Sequence, residues 1–253
     1  MLPLCWINGT LTFEPHLSAH DRGLLVADGL FETIRVERGE VVDFSAHFAR
    51  LSGGLQAFDL TIKYTEHDLL AAAHQLLERV PLDNTLGRLR LTVTRGVPGK
   101  GSTVFMTLVP QKNPTAPLAL VLTDVIRIAG NPTSKYKTLA YTDNFYAQRQ
   151  VAKENENRIA VLCNQWGRVA CGSIGNVFVK HEGVWLTPSV SEGVLPGITR
   201  GKLLAAGTYL GLPVIEGEIT VDAFLEGEAL LTNVLRGVER GICALHRRSV
   251  VGR

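Results

Sequence analysis

The sequence is poor in cysteine and methionine and has no strong excess of charge of either sign. Its 253 residues include four cysteines and two methionines, and the net charge is only +2. Without a CxxC pair, the ligand spacing of a structural zinc site is missing, so we expect no bound metal. The near-neutral charge balance gives no electrostatic reason to expect nucleic acid as a partner. No stretch approaches the roughly 20 apolar residues of a membrane span, so we expect no membrane partner either.

The N-terminus, MLPLCWINGT, lacks a basic region followed by a long apolar run. We therefore expect no signal peptide and a cytoplasmic protein, in which the few cysteines stay reduced. A chain of this length can bury a full core, either as one large domain or as two smaller ones.

Hairpin patterns dominate both halves of the sequence. Apolar runs flank Asn8-Gly9, and apolar and polar residues alternate on either side of Arg38-Gly39, which predicts a tight turn at each pair. The segment VFVKHEGVWLTP predicts a third hairpin over Glu182-Gly183. The segments GRLRLTVTRG, STVFMTLVPQ and LALVLTDVIRI predict further strands.

Helical patterns lie between these strands. Either Asp43 or Ser45 is expected to cap a helix through HFARLSGGLQAF, and Thr65 with Asp68 resembles a capping box for the next helix. Lys137 stands at the start of a third helix-like run, and GKLLAAGTYLGL predicts a helix as well.

The pattern is interrupted where prolines and polar residues gather in LVPQKNPTAPLAL. This segment predicts a linker over 111–117, between a smaller domain at 1–110 and a larger one at 118–253. The mixed order of strands and helices favours an α+β class with two domains over a regularly alternating parallel sheet.

Seven segments together resemble one family. In chain order they are DRGLLVADGLFETIRV, HFARL, TRGVPGKG, YKTLAY, GRVACGSIGNVF, LPGITR and LLTNVLRGV. They resemble the class IV aminotransferases, a family that uses pyridoxal 5'-phosphate (PLP) and includes D-amino-acid and branched-chain aminotransferases and aminodeoxychorismate lyase. The resemblance implies the two-domain fold of D-amino-acid aminotransferase (fold type IV), with PLP at the domain interface, and a homodimer.

Lys137 matches the family's lysine that forms a Schiff base with PLP. That chemistry needs a primary amine that can be unprotonated near neutral pH, because its lone pair attacks the aldehyde. Once freed, the same amine can move the proton on the substrate's Cα. Lys135 lies two positions earlier and is the rival, but the match to YKTLAY favours Lys137.

Further segments imply cofactor contacts. Arg50 in HFARL matches the arginine that holds the phosphate, for which a planar guanidinium is suited. Ile198 and Thr199 in PGITR stand where a helix begins, so backbone N–H groups and the hydroxyl can bind an anion, although Thr199 could equally be only an N-cap. Asn233 falls where the family makes additional cofactor contacts. Tyr141 is expected beside the pyridine ring, one helical turn after the lysine, or else is a packing aromatic.

Cys171 departs from the family, in which an acidic residue usually stands at this position. The acid pairs with the pyridine nitrogen and makes the ring a strong electron sink. A neutral thiol is only a weak donor and acceptor, and a thiolate would require a lowered pKa. The carbanion at Cα should therefore be less stabilised than in relatives. This favours elimination over transamination, and it also favours a PLP-binding protein with little activity.

At the positions expected to contact the substrate, the residues differ from those of D-amino-acid aminotransferases. Phe31 stands where those enzymes have a tyrosine, Lys100 where they have an arginine, and Ser102 where they have a histidine. A carboxylate trap of that kind is therefore not expected. Lys100 and Arg236 are cationic and could meet an acidic substrate, or could simply be solvated charges.

These features predict a PLP-dependent enzyme that acts on an amino acid or an amino-acid-like substrate. The first hypothesis is a lyase of the aminodeoxychorismate type, which releases pyruvate by elimination. The alternatives are a transaminase acting on D- or branched-chain amino acids and, in another class, a PLP-binding protein with little or no turnover.

Overall fold

The structure is a computed structural model that describes residues 4–82, 86–112, 118–153, 155 and 157–245. The chain forms two compact units. The first comprises Met1–Asn113 and Tyr136–Ala140, and the second comprises Pro114–Lys135 and Tyr141–Arg253. The predicted linker remains a prediction, because Gln111 ends a strand and residues 113–117 lie outside the described part of the chain.

The first unit contains an antiparallel sheet of six described strands in the order β2-β1-β6-β5-β3-β4. Its long central strands each pair with their neighbours over many residues, in continuous register between β3 and β5. The strands are β1 Cys5–Ile7, β2 Thr10–Thr12, β3 Gly29–Glu37, β4 Glu40–Val41, β5 Leu86–Val97 and β6 Gly101–Gln111.

Three helices accompany this sheet, namely α1 Arg22–Val26, α2 Phe44–Ala57 and α3 Glu66–Leu77. The core lies where leucines of α2 and α3 meet one face of the sheet, for example Leu51 and Leu69 against Ile34 and Leu89. Burying that apolar face provides the main driving force for folding the unit.

The predicted hairpins are confirmed by their turn geometry. Both central residues have positive φ at Asn8-Gly9 (47° and 97°), Arg38-Gly39 (53° and 80°) and Glu182-Gly183 (46° and 80°). Such mirror-image turns match the right-handed twist of paired strands, which is why asparagine and glycine are favoured there.

The predicted capping box of α3 is also confirmed. The Asp68 N–H donates to Thr65 Oγ1 at 3.2 Å, and the Thr65 N–H donates to Asp68 Oδ2 at 2.9 Å. Asp43 occupies the N-cap position of α2, one of the two predicted caps, but its side chain forms no capping hydrogen bond because its backbone is left-handed, with a φ of 57°.

The second unit contains a mixed sheet of nine described strands in the order β12-β13-β11-β10-β14-β15-β7-β8-β9. The strands are β7 Leu118–Arg127, β8 Arg158–Asn164, β9 Val169–Gly172, β10 Asn176–His181, β11 Val184–Thr187, β12 Thr208–Tyr209, β13 Leu212–Glu216, β14 Ala229–Asn233 and β15 Gly237–Leu245. Its helices are α4 Pro132–Lys135, α5 Thr142–Ala152, α6 Ile198–Ala206 and α7 Val221–Glu226, with one turn of 3-10 helix at Val190–Glu192.

Two helix predictions were wrong in their boundaries. Lys137 is not at the start of a helix: residues 136–140 belong to no helix, and α5 begins only at Thr142. The helix predicted over GKLLAAGTYLGL ends at Ala206, where Gly207 adopts a left-handed C-cap with a φ of 70°. The chain then turns into the short strands β12 and β13, because glycine readily ends a helix in this conformation.

No described helix is long and apolar enough to cross a membrane. All four cysteines lie in the described part of the chain and are free thiols. Within the same residues no cluster of histidine, cysteine and acidic side chains has the arrangement of a metal site.

Candidate active site

Backbone pairing with β3 fixes the position of Lys137 in the first unit. The Phe31 N–H donates to the Lys137 carbonyl oxygen at 2.9 Å, and the Leu139 N–H donates to the Gly29 carbonyl oxygen at 2.9 Å. The Lys137 Nζ atom lies 4.2 Å from the centre of the Phe31 ring. Lys135, in contrast, is exposed at the end of α4. The structure therefore holds the amine of Lys137 against a buried ring and leaves that of Lys135 in solvent.

The segment that carries Lys137 approaches β3 closely. A Cβ atom added to Gly29 would lie 2.4 Å from the Val93 carbonyl oxygen and 2.8 Å from Leu139 Cδ1, so only glycine fits there. Thr138 is 3% exposed, and its hydroxyl has no hydrogen-bond partner among the described residues. Burying a hydroxyl costs free energy unless a protein group, a water molecule or a ligand forms a hydrogen bond with it.

Arg50 belongs to a buried charge cluster in the same unit. Its Nε and Nη2 atoms donate to the two carboxylate oxygens of Glu32 at 2.8 and 2.6 Å, and His47 Nδ1 lies 2.8 Å from Glu32 Oε2. Burial of Glu32 disfavours its charged form, but the hydrogen bonds from His47 and Arg50 and the charge of Arg50 outweigh burial and lower the pKa of the carboxyl. The bidentate pair orients the guanidinium of the predicted phosphate ligand.

Cys171 lies in β9 of the second unit and is buried. Burial raises the pKa of its thiol, and the positive charge of Arg127 acts in the opposite direction without overcoming it. The thiol is therefore neutral near pH 7, and the thiolate alternative is not supported. No disulfide links it to Cys163, which is also a free thiol.

Neutral acceptors surround Arg127. Its guanidinium donates to the carbonyl oxygens of Gly193 at 2.9 Å and Ser134 at 3.0 Å, and to Asn144 Oδ1 at 2.9 Å. The Asn144 amide in turn donates to the Ser173 carbonyl oxygen at 2.9 Å, which connects the arginine to the loop after Cys171. Within the described residues, no carboxylate compensates this charge.

Ile198 and Thr199 form the first turn of α6, as predicted. The N-cap is Gly197, which has no capping side chain, so Thr199 is not the N-cap. The first N–H groups of a helix lack partners within it and favour an anion. Gly197 is required by packing, because a Cβ atom would lie 2.0 Å from Asn176 Oδ1.

Asn233 and Arg236 lie at the turn between β14 and β15. The Asn233 Oδ1 atom accepts the N–H of Arg236 at 2.8 Å, and its Nδ2 atom donates to the Ile174 carbonyl oxygen at 3.2 Å. Asn233 therefore ties the turn to the loop after Cys171. Arg236 forms an ion pair at 2.7 Å with Glu239 of β15, so a nearby carboxylate already compensates its charge.

The remaining predicted residues lie in separate places. Tyr141 occupies the N-cap position of α5 rather than a helical turn after Lys137, and its ring lies 6.3 Å from that of Phe145. Lys100 is exposed in the turn between β5 and β6, and Ser102 follows it at the start of β6. Phe31 is buried.

Three charged residues of these regions were missed by reasoning from the sequence. Glu32 stands between Leu30 and Ile34 on the face of β3 that faces the core, where a charge is unexpected. A charged residue at a core-facing position indicates a buried ion pair, so the sequence pattern around Glu32 could have predicted one. Arg90 lies in β5, with its guanidinium carbon 3.8 Å from the centre of the Phe31 ring. The alternation of GRLRLTVTRG indicated that Arg90 lies on the face of the strand opposite the core, whereas nothing local distinguished Arg127.

The chain belongs to the amino-transferase class IV family, whose model matches residues 29–240. It is 30% identical over 247 residues to an aminodeoxychorismate lyase of Bacillus subtilis. The aligned region covers 91% of this chain and 83% of that protein. The predicted family is therefore confirmed.

Solved structures share the fold. A branched-chain aminotransferase from Thermoproteus uzoniensis, solved with norvaline, is similar with a TM-score of 0.86 at 21% identity, covering 98% of this chain and 90% of that one. A hypothetical aminotransferase from Mycobacterium tuberculosis, solved in its PLP-bound form, is similar with a TM-score of 0.83 at 20% identity, and the match covers 98% of this chain and 94% of that one. The predicted two-domain α+β fold of this family is confirmed.

Proposed function

We propose that the chain is a PLP-dependent lyase of the class IV family, which releases pyruvate by elimination in the manner of aminodeoxychorismate lyase. The observation that carries the reaction type is the neutral thiol of Cys171 beside Arg127, at the position where an acid usually stands. The similarity to the lyase of Bacillus subtilis supports the same choice.

The residues present fit PLP. When bound, PLP supplies an electron sink for the carbanion at the substrate's Cα. Lys137 would attach the cofactor and move the Cα proton, and the hydroxyl of Thr138, which has no partner among the described residues, would provide a polar group beside it.

Arg50 would bind the phosphate, as would the first N–H groups of α6 with Thr199 and Ile198. Cys171 would stand at the position that contacts the ring nitrogen in the family, and Asn233 holds the turn that adjoins the loop after it. Tyr141 would contribute a further cofactor contact.

Two alternatives remain open. A transaminase acting on D- or branched-chain amino acids is supported by the similarity to the branched-chain aminotransferase structure. A PLP-binding protein with little turnover is supported by the same neutral Cys171 that favours the lyase, because both follow from a weaker electron sink.

The experiment has two stages. Borohydride reduction of the purified holoprotein followed by mass spectrometry should locate the cofactor on Lys137. Lys137→Ala should lose that adduct and at least about 1,000-fold of the activity, on the scale of a lost acid-base group. Lys135→Ala is the matched control and should keep both. An adduct that persists in Lys137→Ala and disappears in Lys135→Ala would reverse the assignment of the lysine.

Product assays then separate the reactions. Pyruvate formed without any amino acceptor identifies the lyase, and amino transfer to a keto acid identifies the transaminase. A PLP-loaded protein that does neither with a panel of amino donors is the binding protein.

The proposed assembly is a homodimer in the cytoplasm. The four free thiols agree with a reducing compartment. Sedimentation of the active protein should give twice the mass of the chain, and a stable, active monomer would contradict the dimer.

A further inference from the structure

An ion pair lies at the first turn of α6 in the second unit. Arg200 is the third residue of this helix and is 4% exposed. Its Nη2 atom donates to Glu216 Oε1 at 2.5 Å and to the Pro188 carbonyl oxygen at 2.8 Å, and its buried Nε atom has no partner among the described residues. A buried cation with an unused donor therefore lies at the helix end that holds the phosphate in the proposed function.

The position of Arg200 runs against the usual charge preference of a helix. The first N–H groups carry a partial positive charge, so acidic side chains are favoured in the first turn and basic ones are not. The first turn of α6 has no acidic residue, and its N-cap Gly197 has no side chain that could accept from these groups. The cation and the helix dipole therefore act in the same direction, and both favour an anion.

Neighbouring strands hold this first turn in place. Pro188 directly follows β11, and Glu216 is the last residue of β13, which pairs in parallel with β11. The guanidinium is thus held at the ends of two adjacent strands. On the other side, Gly197 packs so closely on the Asn176 side chain of β10 that no Cβ atom fits. The charge of Arg200 therefore has a fixed position relative to the first N–H groups.

The two charges of the pair are exposed to different degrees. The Arg200 side chain is 5% exposed and that of Glu216 is 46% exposed, so water and salt screen the carboxylate more than the guanidinium. Arg200 follows Ile198 by two residues, which is only about 3 Å along the helix axis. Charges interact over about 10 Å at ordinary ionic strength, so an anion at the first turn is attracted by Arg200 and repelled by Glu216.

We propose that the Arg200–Glu216 pair sets the affinity of the first turn of α6 for the phosphate of the cofactor. The charge of Arg200 strengthens binding, and the charge of Glu216 weakens it. Arg200 is a positioning residue, since it acts through the electrostatic potential at the first turn. The inference rests on the proposed function, because it assumes that this turn holds the phosphate, and it assigns control of cofactor affinity to two residues outside the predicted site.

PLP and pyridoxal together test this inference, because pyridoxal lacks only the phosphate. The dissociation constants of both are measured by absorbance titration of the full chain after removal of the cofactor, and the readout is the Kd of pyridoxal divided by the Kd of PLP. Arg200→Met should lower this ratio about three- to tenfold, the effect of one charge in partly solvated surroundings. Glu216→Gln should raise it by a similar factor, since its amide oxygen can still accept the hydrogen bond of Arg200.

The opposite signs distinguish an electrostatic role from a structural one. If the pair only held the helix in place, removal of either partner would lower the ratio. The double variant Arg200→Met with Glu216→Gln should return to within about twofold of the parent, because the two charge effects cancel. Arg200→Lys keeps the charge and should restore most of the ratio. Should Arg200→Met fail to fold, the sign of the change in Glu216→Gln decides the inference.

Glu182→Gln is the matched control for the change of charge. Glu182 lies in the turn after β10, at the opposite end of that strand from Asn176, and its side chain is 85% exposed. The same substitution there should leave the ratio within about twofold of the parent, because the charge is distant and screened.

Several results would overturn the inference. They are a lower ratio in Glu216→Gln, an unchanged ratio in a folded Arg200→Met, and a parent that binds pyridoxal as tightly as PLP. If the parent binds neither compound, the proposed function fails. Titration of the same variants with inorganic phosphate then decides the role of the pair, with the same expected signs.

Discussion

The region around Glu32 and the region around Arg127 hold buried charge in opposite ways. Glu32 is 1% exposed and is compensated by Arg50 and His47 at hydrogen-bonding distance. Arg127 is half-buried, and its acceptors within the described residues are carbonyl and amide oxygens without charge. The first region is a closed ion cluster, whereas the second keeps a net positive charge beside the neutral Cys171.

This difference suggests what each region is built to do. A compensated cluster holds its members in one geometry, which would suit the phosphate-binding role that we propose for Arg50. Arg127, which has no carboxylate partner among the described residues, instead makes the local electrostatic potential positive. If Cys171 contacts the ring nitrogen as we propose, that potential would disfavour protonation of the nitrogen.

Removing the carboxylate of Glu32 should have the largest effect on stability. Glu32→Ala removes the buried carboxylate that pairs with the half-buried Arg50 and with His47, and breaking a buried ion pair in this way costs about 3–5 kcal/mol. Chemical denaturation of the PLP-free protein measures the change. The control Glu37→Ala removes an acid at the exposed end of the same strand and should cost far less. A loss below about 1 kcal/mol for Glu32→Ala would show that the cluster is not tightly coupled.

Adding a carboxylate near Arg127 should compensate its charge, as Arg50 and His47 compensate the charge of Glu32. Cys171→Glu and Cys171→Gln introduce similar volumes into a buried site, so both should lose stability through overpacking. The glutamate variant should nevertheless be more stable than the glutamine variant by about 1–3 kcal/mol at pH 7, because only glutamate can pair with Arg127.

Arg127→Met provides the double-mutant control for this pair. In that background the advantage of glutamate over glutamine should disappear. An advantage that persists would mean that the carboxylate finds another partner. In the loaded enzyme, Cys171→Glu should also speed removal of the Cα proton from D- or L-alanine, and an unchanged rate would argue against a position for Cys171 facing the ring nitrogen.

The smallest predicted effect is on the free energy of unfolding at acidic pH. The pKa of Glu32 is lowered in the folded state from the ordinary value of 4.5, so its contribution to stability is complete above that value and is lost as the pH falls through the folded pKa. Glu32→Gln cannot titrate there. The difference in unfolding free energy between parent and variant should therefore narrow as the pH falls from 5 to 2, and a constant difference would contradict the ionised cluster.

Local patterns in the sequence determined much of the architecture. The three hairpins follow from turn residues that accept positive φ, and the start of α3 follows from the reciprocal bonds of Thr65 and Asp68. The spaced family segments determined the family and singled out Lys137. These features depend on residues that are close along the chain, so a reader of the sequence can find them.

Only the tertiary structure decided how the charged side chains are matched. Lys137 lies outside any helix because its segment forms backbone hydrogen bonds with β3, and Arg50 meets Glu32 because α2 packs on the face of that strand. The contact of Arg90 with Phe31 depends on the register between β3 and β5, and the neutral state of Cys171 depends on its burial near Arg127. Each depends on strands and helices that are distant in the chain, and local pattern carries no information about which distant partner a side chain will meet.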